Sequence, residues 1–536
     1  MSQIGKPPCD DALIQHGAPA APCPAAARRW TLVAAILGSS MAFIDGTVVN
    51  VALPALQRDL NATAFDAQWV IEAYALFLAA LLLAGGALGD SFGRRRVFMI
   101  GAALFTAASV GCGVSQTVEQ LIFARAIQGI GAALLVPGSL SLISAAFPES
   151  ERGRAIGTWS AFSGITAAIG PVIGGFLVDR YSWIWAFLVN APMGALLLLL
   201  CAWKVPESRG AAAKSPVDVW GALLATAALA GIVFALIEAP KRGWTDSAIL
   251  LAALGGAIAL VAFVRVEATR TSPMLPLHLF RSHSFTGANL LTLLLYAGLG
   301  GGLFFFPLNL IQVQGWGATE AGAALLPFIL IMFILSRWAG QLVDTFGSKI
   351  PLVVGPTVAA AGFALFAWPS VGGSYWFTFF PAVCVLGLGM TITVAPLTTT
   401  VMNAVGPDMA GVASGVNNAV SRTAALLAIA AFGAVMSWAF NAALSSQIAH
   451  IGAPAEVVNA VLAQRQKLAG LVVPAGIDGA TAAALHQAVG LAFVAGFRWV
   501  MGLCAGMAVL SAICAWWLVE GKPRAERTVA TANKMV

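Results

Sequence analysis

Charge is what this chain has least of. Asp, Glu, Lys and Arg together make up 10% of its 536 residues, against roughly 25% in a typical soluble protein. That is too little to cover the surface of the three or four soluble domains that the length alone would suit. Cysteine is also sparse. Of seven, Cys9 and Cys23 lie in the amino-terminal tail, while Cys112, Cys201, Cys384, Cys504 and Cys514 fall inside apolar runs. No disulfide framework follows, and no metal-ligand spacing joins them to the five histidines. The phosphate loop GxxxxGK[ST] is missing, and glycine pairs such as Gly129 and Gly131 sit in apolar runs instead of after a strand. Without a nucleophile–base pair or a metal cluster, the chain does not read as an enzyme. The formal charge of +6 does not point to nucleic acid, because the basic residues sit in loops between apolar runs, where they act as orientation signals.

Apolar residues fill the space that charge leaves. They make up 59% of the chain, and the mean hydropathy is +0.86. Runs of spanning length, about 20 residues each, number about fourteen, the first near 31–53 and the last near 491–519. Arg28 and Arg29 precede the first run, which continues for about 23 residues without a small-residue cleavage site and is therefore expected to be an uncleaved span. An even count puts both termini on one face. With both inside, the inner segments hold 19 of the 29 Lys and Arg residues, the outer segments six and the spans four. The charge asymmetry therefore predicts cytoplasmic termini.

These counts divide the chain into a cytoplasmic tail (1–29), a six-helix bundle (30–204), a linker with an inserted hairpin formed by spans 7 and 8 (205–284), a second six-helix bundle (285–519) carrying an extracytoplasmic loop (441–490), and a second tail (520–536). A shift of 254 residues lays GALGDSFGRRRVFMIG (Gly86 to Gly101) over GQLVDTFGSKIPLVVG (Gly340 to Gly355). Both are tight loops between spans on the same face. Parallel repeats of this kind are a recognised way of building transporters. The loop at 441–490 contains a helical run, EVVNAVLAQRQKLAGL, read as a cap or tether without chemistry.

Ionisable groups inside spans are costly, so each is a candidate for function. Asp45, Glu72 and Arg125 stand out. At about 1.5 Å per residue, Asp45 lies roughly 21 Å above the inner end of span 1, and Glu72 and Arg125 lie about 8 to 9 Å below the outer surface. All three are expected in the outer third of the bilayer. Desolvation of an acid favours its protonated form and a nearby guanidinium opposes this, a combination suited to loading and releasing a proton. The competing reading is a static ion pair that fixes helix packing. One charge crossing about 100 mV is worth about 2.3 kcal/mol and one pH unit about 1.4 kcal/mol, so a single proton could sustain a gradient of several hundredfold. Arg337 and Arg422 are expected to snorkel or bond carbonyls, and Glu238 and Arg498 to be solvated near the outer surface. The aromatic run Phe304 to Phe306 is expected to pack in the core or face lipid, with cavity lining as the lesser reading.

Four segments, AFIDGTVVNVALPALQ (Ala42 to Gln57), WVIEAYALFLAALLLAGGALGDSFGRRR (Trp69 to Arg96), RAIQGIGAALLVPGSL (Arg125 to Leu140) and GPVIGGFL (Gly170 to Leu177), occur in this order in spans 1, 2, 4 and 5. Together they resemble the major facilitator superfamily, and specifically its fourteen-span drug:proton antiporter branch. The resemblance covers nearly the whole chain. It implies an all-α polytopic membrane protein in the bacterial inner membrane, built of two six-helix bundles plus an inserted two-helix hairpin. It also implies export of amphipathic organic compounds by alternating access, driven by the proton gradient without a cofactor or metal. The partners it implies are a small organic substrate and the lipid bilayer, with no nucleic acid and a monomeric chain. A dedicated exporter of one native metabolite and a non-transporting receptor or scaffold remain as alternatives.

Residue by residue, Gly86, Asp90, Gly93, Arg94 and Arg95 match the family's loop signature, a cytoplasmic latch between bundles, with Asp344 and Gly347 as the second copy. Lys349 alone stands where the first copy has three arginines, so an asymmetric latch is expected. Gly164, Gly170, Pro171, Gly174 and Gly175 match the antiporter motif, where proline bends the helix and glycines admit a neighbour. Arg125 and Gln128 match the motif that the family links to proton transfer, and Asp45 matches its acid in span 1. Glu72 lies where members vary. Asn50, Gln128 and Phe305 complete the expectation as substrate-cavity residues. In the implied cycle an external proton neutralises Asp45, or Glu72, as substrate leaves, and Arg125 tunes the acid.

Overall fold

The computed structural model describes residues 25–209, 218–271, 273–405 and 409–521. Cys9, Cys23, most of both expected tails and most of the linker after span 6 lie outside the described residues. Among the described residues, fourteen helical stretches are long and apolar enough to cross a membrane, as the run count anticipates. They fall into two compact units.

The first unit comprises residues 1–275 together with Trp316–Ala323. It holds α1 (Ala25–Asp59), α2 (Ala64–Phe92), α3 (Arg94–Gly113), α4 (Val118–Ala146), α5 (Glu149–Arg180), the short α6 (Ile184–Leu188) that leads into α7 (Asn190–Lys204), and the hairpin α8 (Val219–Arg242) and α9 (Ser247–Thr269). Side chains set the helix starts. Thr63 and Asp66 form a reciprocal capping box on α2, Thr117 caps α4, and Asp218 and Asp246 cap the hairpin helices, each accepting backbone donors that a helix start leaves unpaired. Helix α4 packs on α2 and α3, and α1 packs on α5. Among these helices, glycines permit backbone approach: a Cβ on Gly101 would lie 2.9 Å from the carbonyl oxygen of Gly131.

The hairpin joins the bundle through α2, where Trp69 Nε1 donates to Glu238 Oε1 at 3.0 Å and the Trp69 ring lies 6.2 Å from Phe234. This corrects the expectation of a solvated Glu238: the residue is buried and also holds Arg242 at 3.2 Å. A carboxylate this close to the membrane edge is covered when an indole and a guanidinium both supply donors. On α9, Leu250, Leu251, Leu254, Ile258 and Val261 are exposed, a stripe suited to hydrocarbon.

The second unit comprises Pro276–Gly315 and Ala324–Val536. It holds α10 (His283–Leu308), α12 (Leu326–Phe346), α13 (Lys349–Phe366), α14 (Phe379–Asn403), α15 (Ala410–Ile448), α16 (Ala455–Ala463) and α17 (Gly479–Leu518). The intervening α11 (Ala318–Ala323) groups with the first unit. Two helices outrun their apolar stretches. Helix α17 begins at Gly479, capped by Asp478, whereas the last apolar run starts near 491. Helix α15 continues to Ile448, so much of the 441–490 loop is helical. Arg498 is exposed, as expected, but is anchored: its Nε donates to the Ala367 carbonyl at 3.0 Å.

Candidate functional site

Asp45, in the middle of α1, and Arg125, about two turns into α4, meet inside the first unit. Arg125 Nη1 lies 2.6 Å from Asp45 Oδ2, and the two residues are 1% and 0% exposed. The guanidinium is satisfied on three sides. Its Nε donates to the Val70 carbonyl at 3.0 Å, Nη1 also reaches Gln128 Oε1 at 2.8 Å, and its carbon lies 4.2 Å above the Tyr74 ring. The other carboxylate oxygen, Asp45 Oδ1, accepts from Gln128 Nε2 at 2.7 Å and from Asn190 Nδ2 at 3.3 Å.

Gln128 stands three residues after Arg125, so one face of α4 delivers both groups. Behind them Ser109 Oγ accepts from Gln128 Nε2 at 3.2 Å and from Asn190 Nδ2 at 3.1 Å, and donates to the Phe187 carbonyl at 2.8 Å. Helices α1, α3, α4 and α7 thus converge on one buried charge pair. A pair this deep persists because its remaining lone pairs and protons are satisfied. Ser109, Asn190, Tyr74 and Phe187 were not singled out from the sequence. The signal of Ser109, Asn190 and Tyr74 was neutral polarity inside apolar runs, which a search for ionisable groups passes over, whereas Phe187 contributes a backbone carbonyl that no side chain announces.

Glu72 is not part of this cluster. Tyr74, two positions on along α2, faces Arg125, and residues two apart on a helix lie on nearly opposite sides. The Glu72 side chain is fully buried, and neither of its oxygens has a hydrogen-bond partner among the described residues. The shared depth anticipated for the three residues does not bring them together. Asn50 is half-buried on α1 and makes none of the cluster's hydrogen bonds. Phe305 lies in the interior of the second unit, 2% exposed, edge-on to Phe304 with ring centroids 4.8 Å apart.

The antiporter-motif residues hold the helix that carries Asp45. A Cβ on Gly170 would strike Thr47 and lie 3.5 Å from Ile44, and one on Gly174 would strike Val48. The backbone of α5 therefore rests on the turn of α1 that includes Asp45. Gly175 and Pro171 face α11 instead, against Ala318 and Gly322 respectively. At the end of α5, Asp179 seals the start of α11: Oδ1 accepts from Ala318 N at 3.0 Å, and Oδ2 from Thr319 N at 2.8 Å and Thr319 Oγ1 at 2.6 Å. Gly164 faces open space.

The loop signature is built around Glu207, which the sequence reading also overlooked. Gly93 has φ +110°, a conformation costly for any side chain, and a Cβ there would lie 2.9 Å from the Glu207 carboxyl. Glu207 accepts from Arg95 N at 2.9 Å, Arg96 N at 3.1 Å and Ser208 N at 3.0 Å, capping α3. Arg94 N donates to the Ser208 carbonyl at 2.8 Å, and Arg95 Nη1 to the Val205 carbonyl at 2.9 Å. Asp90 pairs with Arg94 at 2.8 Å, and Arg94 reaches the Ser141 carbonyl at 3.3 Å. Gly86 makes ordinary contact with Pro137. In the second copy Gly347 has φ +74°, and Lys349 Nζ sits 5.0 Å over the Trp516 ring; the side chain of Asp344 lies outside the described residues. Arg337 is exposed, and Arg422 Nε donates to Asn418 Oδ1 at 3.2 Å.

Residues 35–429 match the model of the Major Facilitator Superfamily, a stretch that takes in Asp45, Arg125, both loop copies and the antiporter motif. The chain belongs to the major facilitator superfamily. It is 35% identical over 419 residues to the multidrug resistance protein Stp of Mycobacterium tuberculosis, covering 78% of each chain. It is 32% identical over 504 residues to the tetracenomycin C resistance and export protein of Streptomyces glaucescens, covering 92% of this chain and 93% of that one. Among solved structures, an inward-facing bacterial homologue of the human lysosomal transporter Spinster superposes with a TM-score of 0.63 at 18% identity, covering 93% of this chain and 100% of that chain. This superfamily member is an integral plasma-membrane protein whose fold is that of transporters.

Proposed function

We propose that the protein is a secondary active exporter of amphipathic organic compounds, driven by the proton gradient and working by alternating access as a monomer with both termini in the cytoplasm. Similarity to relatives named for drug resistance and export supports the cargo class. The observation that carries the coupling is the sealed Asp45–Arg125 pair with its neutral partners. Protonating Asp45 removes the charge opposite Arg125. The guanidinium keeps the Val70 carbonyl, Gln128 Oε1 and the Tyr74 ring, so it remains held in either state while the grip of α4 on α1 slackens. Proton loss restores that grip. A proton then biases two arrangements of the helices by its differential affinity for them, as any ligand does.

The test is efflux from proteoliposomes with an imposed pH gradient. Asp45→Asn should abolish uphill transport while sparing membrane insertion, and unchanged pH-driven efflux would overturn the assignment. A second reading, a dedicated exporter of one metabolite, is favoured by the relative named for the single compound tetracenomycin C. Competition by chemically unrelated dyes separates the two.

A further inference from the structure

We propose that a cavity at the start of α3 binds the phosphodiester headgroup of an anionic phospholipid, with an acyl chain laid along α3. The cavity, of about 470 Å³, lies on the face that the charge asymmetry assigns to the cytoplasm, and Arg95, Arg96, Arg209 and Phe92 are among its lining residues. Its charge is unbalanced. Glu207 also lines it, but both of its oxygens are taken by the amides of Arg95, Arg96 and Ser208, and the Arg95 guanidinium is 4.0 Å away. Arg96 and Arg209 have no acidic partner among the described residues. Two guanidiniums are left for an anion, and their planar forks match phosphate oxygens.

The apolar side of the cavity indicates what carries the phosphate. Phe92 and Ile100 are 57% and 52% exposed. Beyond Ile100 the exposed residues of α3 are Ala103, Ala107 and Val110, continuing from Arg96 at helical spacings of three and four as one stripe on one face. From Arg96 to Val110 the stripe rises about 21 Å, more than the ~15 Å of hydrocarbon in one leaflet. The two alanines make it a shallow furrow between bulkier ends. A soluble phosphate would use the arginines and leave this furrow unused, whereas a lipid uses both. Basic pockets at the cytoplasmic ends of spans suit such headgroups.

The full-length protein, purified in neutral detergent and stripped of lipid, tests this by thermal-unfolding shift. Titration with phosphatidylglycerol should raise the unfolding temperature saturably, and equal amounts of phosphatidylcholine or inorganic phosphate should not. Loss of each arginine weakens the interaction about fivefold, so Arg96→Gln with Arg209→Gln should raise the half-saturating phosphatidylglycerol concentration about thirtyfold. Ala103→Trp fills the furrow with every charge in place and should also weaken binding, which keeps the proposal falsifiable if the double variant fails to fold. Equal stabilisation by phosphatidylcholine, saturation by inorganic phosphate, or undiminished phosphatidylglycerol binding in Ala103→Trp or in the folded double variant would each overturn it.

Discussion

Arg125 Nη1 sits 2.6 Å from Asp45 Oδ2, and the same nitrogen lies 2.8 Å from Gln128 Oε1, so one hydrogen-bond donor serves both the charged and the neutral acceptor. Arg125→Lys keeps the charge but not the fork, and a point ammonium cannot reach Val70, Gln128 and Asp45 together. Uphill efflux should fall in this variant nearly as far as in Asp45→Asn. Arg125→Ala should in addition destabilise the protein by about 3 to 5 kcal/mol, because it strands a buried carboxylate. Efflux assays beside detergent thermal denaturation distinguish the two outcomes.

Glu72 and Asp45 share no partner, so their effects should be independent. Glu72→Gln leaves no donor unsatisfied by its own loss and should unfold at the wild-type temperature within a degree or two, whereas a lysine at this position should be poorly tolerated. If Glu72 carries its own proton, Glu72→Gln alone should lower pH-driven uphill efflux while Asp45 is intact. Unchanged efflux in Glu72→Gln would assign coupling to the Asp45 cluster alone.

The antiporter motif should divide by face. Gly174→Val drives a side chain into Val48 and displaces the turn holding Asp45, so efflux should drop at least tenfold even where expression is retained. Gly164→Ala meets nothing and should behave as wild type. Efflux normalised to protein in the membrane is the measurement.

Glu207 caps α3 through the backbone amides of Arg95 and Arg96, so Glu207→Ala should cost about 2 kcal/mol and raise hydrogen exchange at residues 94–97, while Glu207→Gln should retain part of the cap. Gly93→Ala should resemble Glu207→Ala, since it both strains the backbone and displaces the same carboxyl.

At the other end of the chain, the Thr481 hydroxyl and, after it, the Thr481 amide hold the Asp478 carboxyl below the usual carboxylate range. A group whose folded-state value is lowered stabilises the fold above its unfolded value and loses that contribution as pH falls through the folded one. Protection factors at residues 479–482 should therefore be highest from neutrality to about pH 5 and fall in stronger acid, whereas in Asp478→Ala they should be lower at neutrality and lose this pH dependence.

The span count was legible because hydrocarbon tolerates only long apolar helices, and that constraint is written continuously along the chain. Asp45 and Arg125 were legible because a charge in such a run is costly enough to stand out. Glu72 was legible as an oddity but not as an outsider: depth follows from position along a helix, whereas the direction a side chain faces depends on packing that one sequence does not print. Ser109 and Asn190 carry no charge, and Glu207 stands in a loop where acids are ordinary, so each becomes visible only through the hydrogen bonds it makes. The early start of α17 was hidden because a hydropathy window measures the membrane and not the helix that continues past it.

Asp179 grips α11 through the peptide amides of Ala318 and Thr319, which lie far along the chain beyond the stretch Pro276–Gly315 of the second unit. A gene divided at residue 275 would therefore not yield two self-sufficient halves. The amino-terminal fragment would lack the eight residues that complete it and would leave the Asp179 carboxylate without the amides it was built to receive. A synthetic peptide spanning 316–323 is the natural complement to such a fragment.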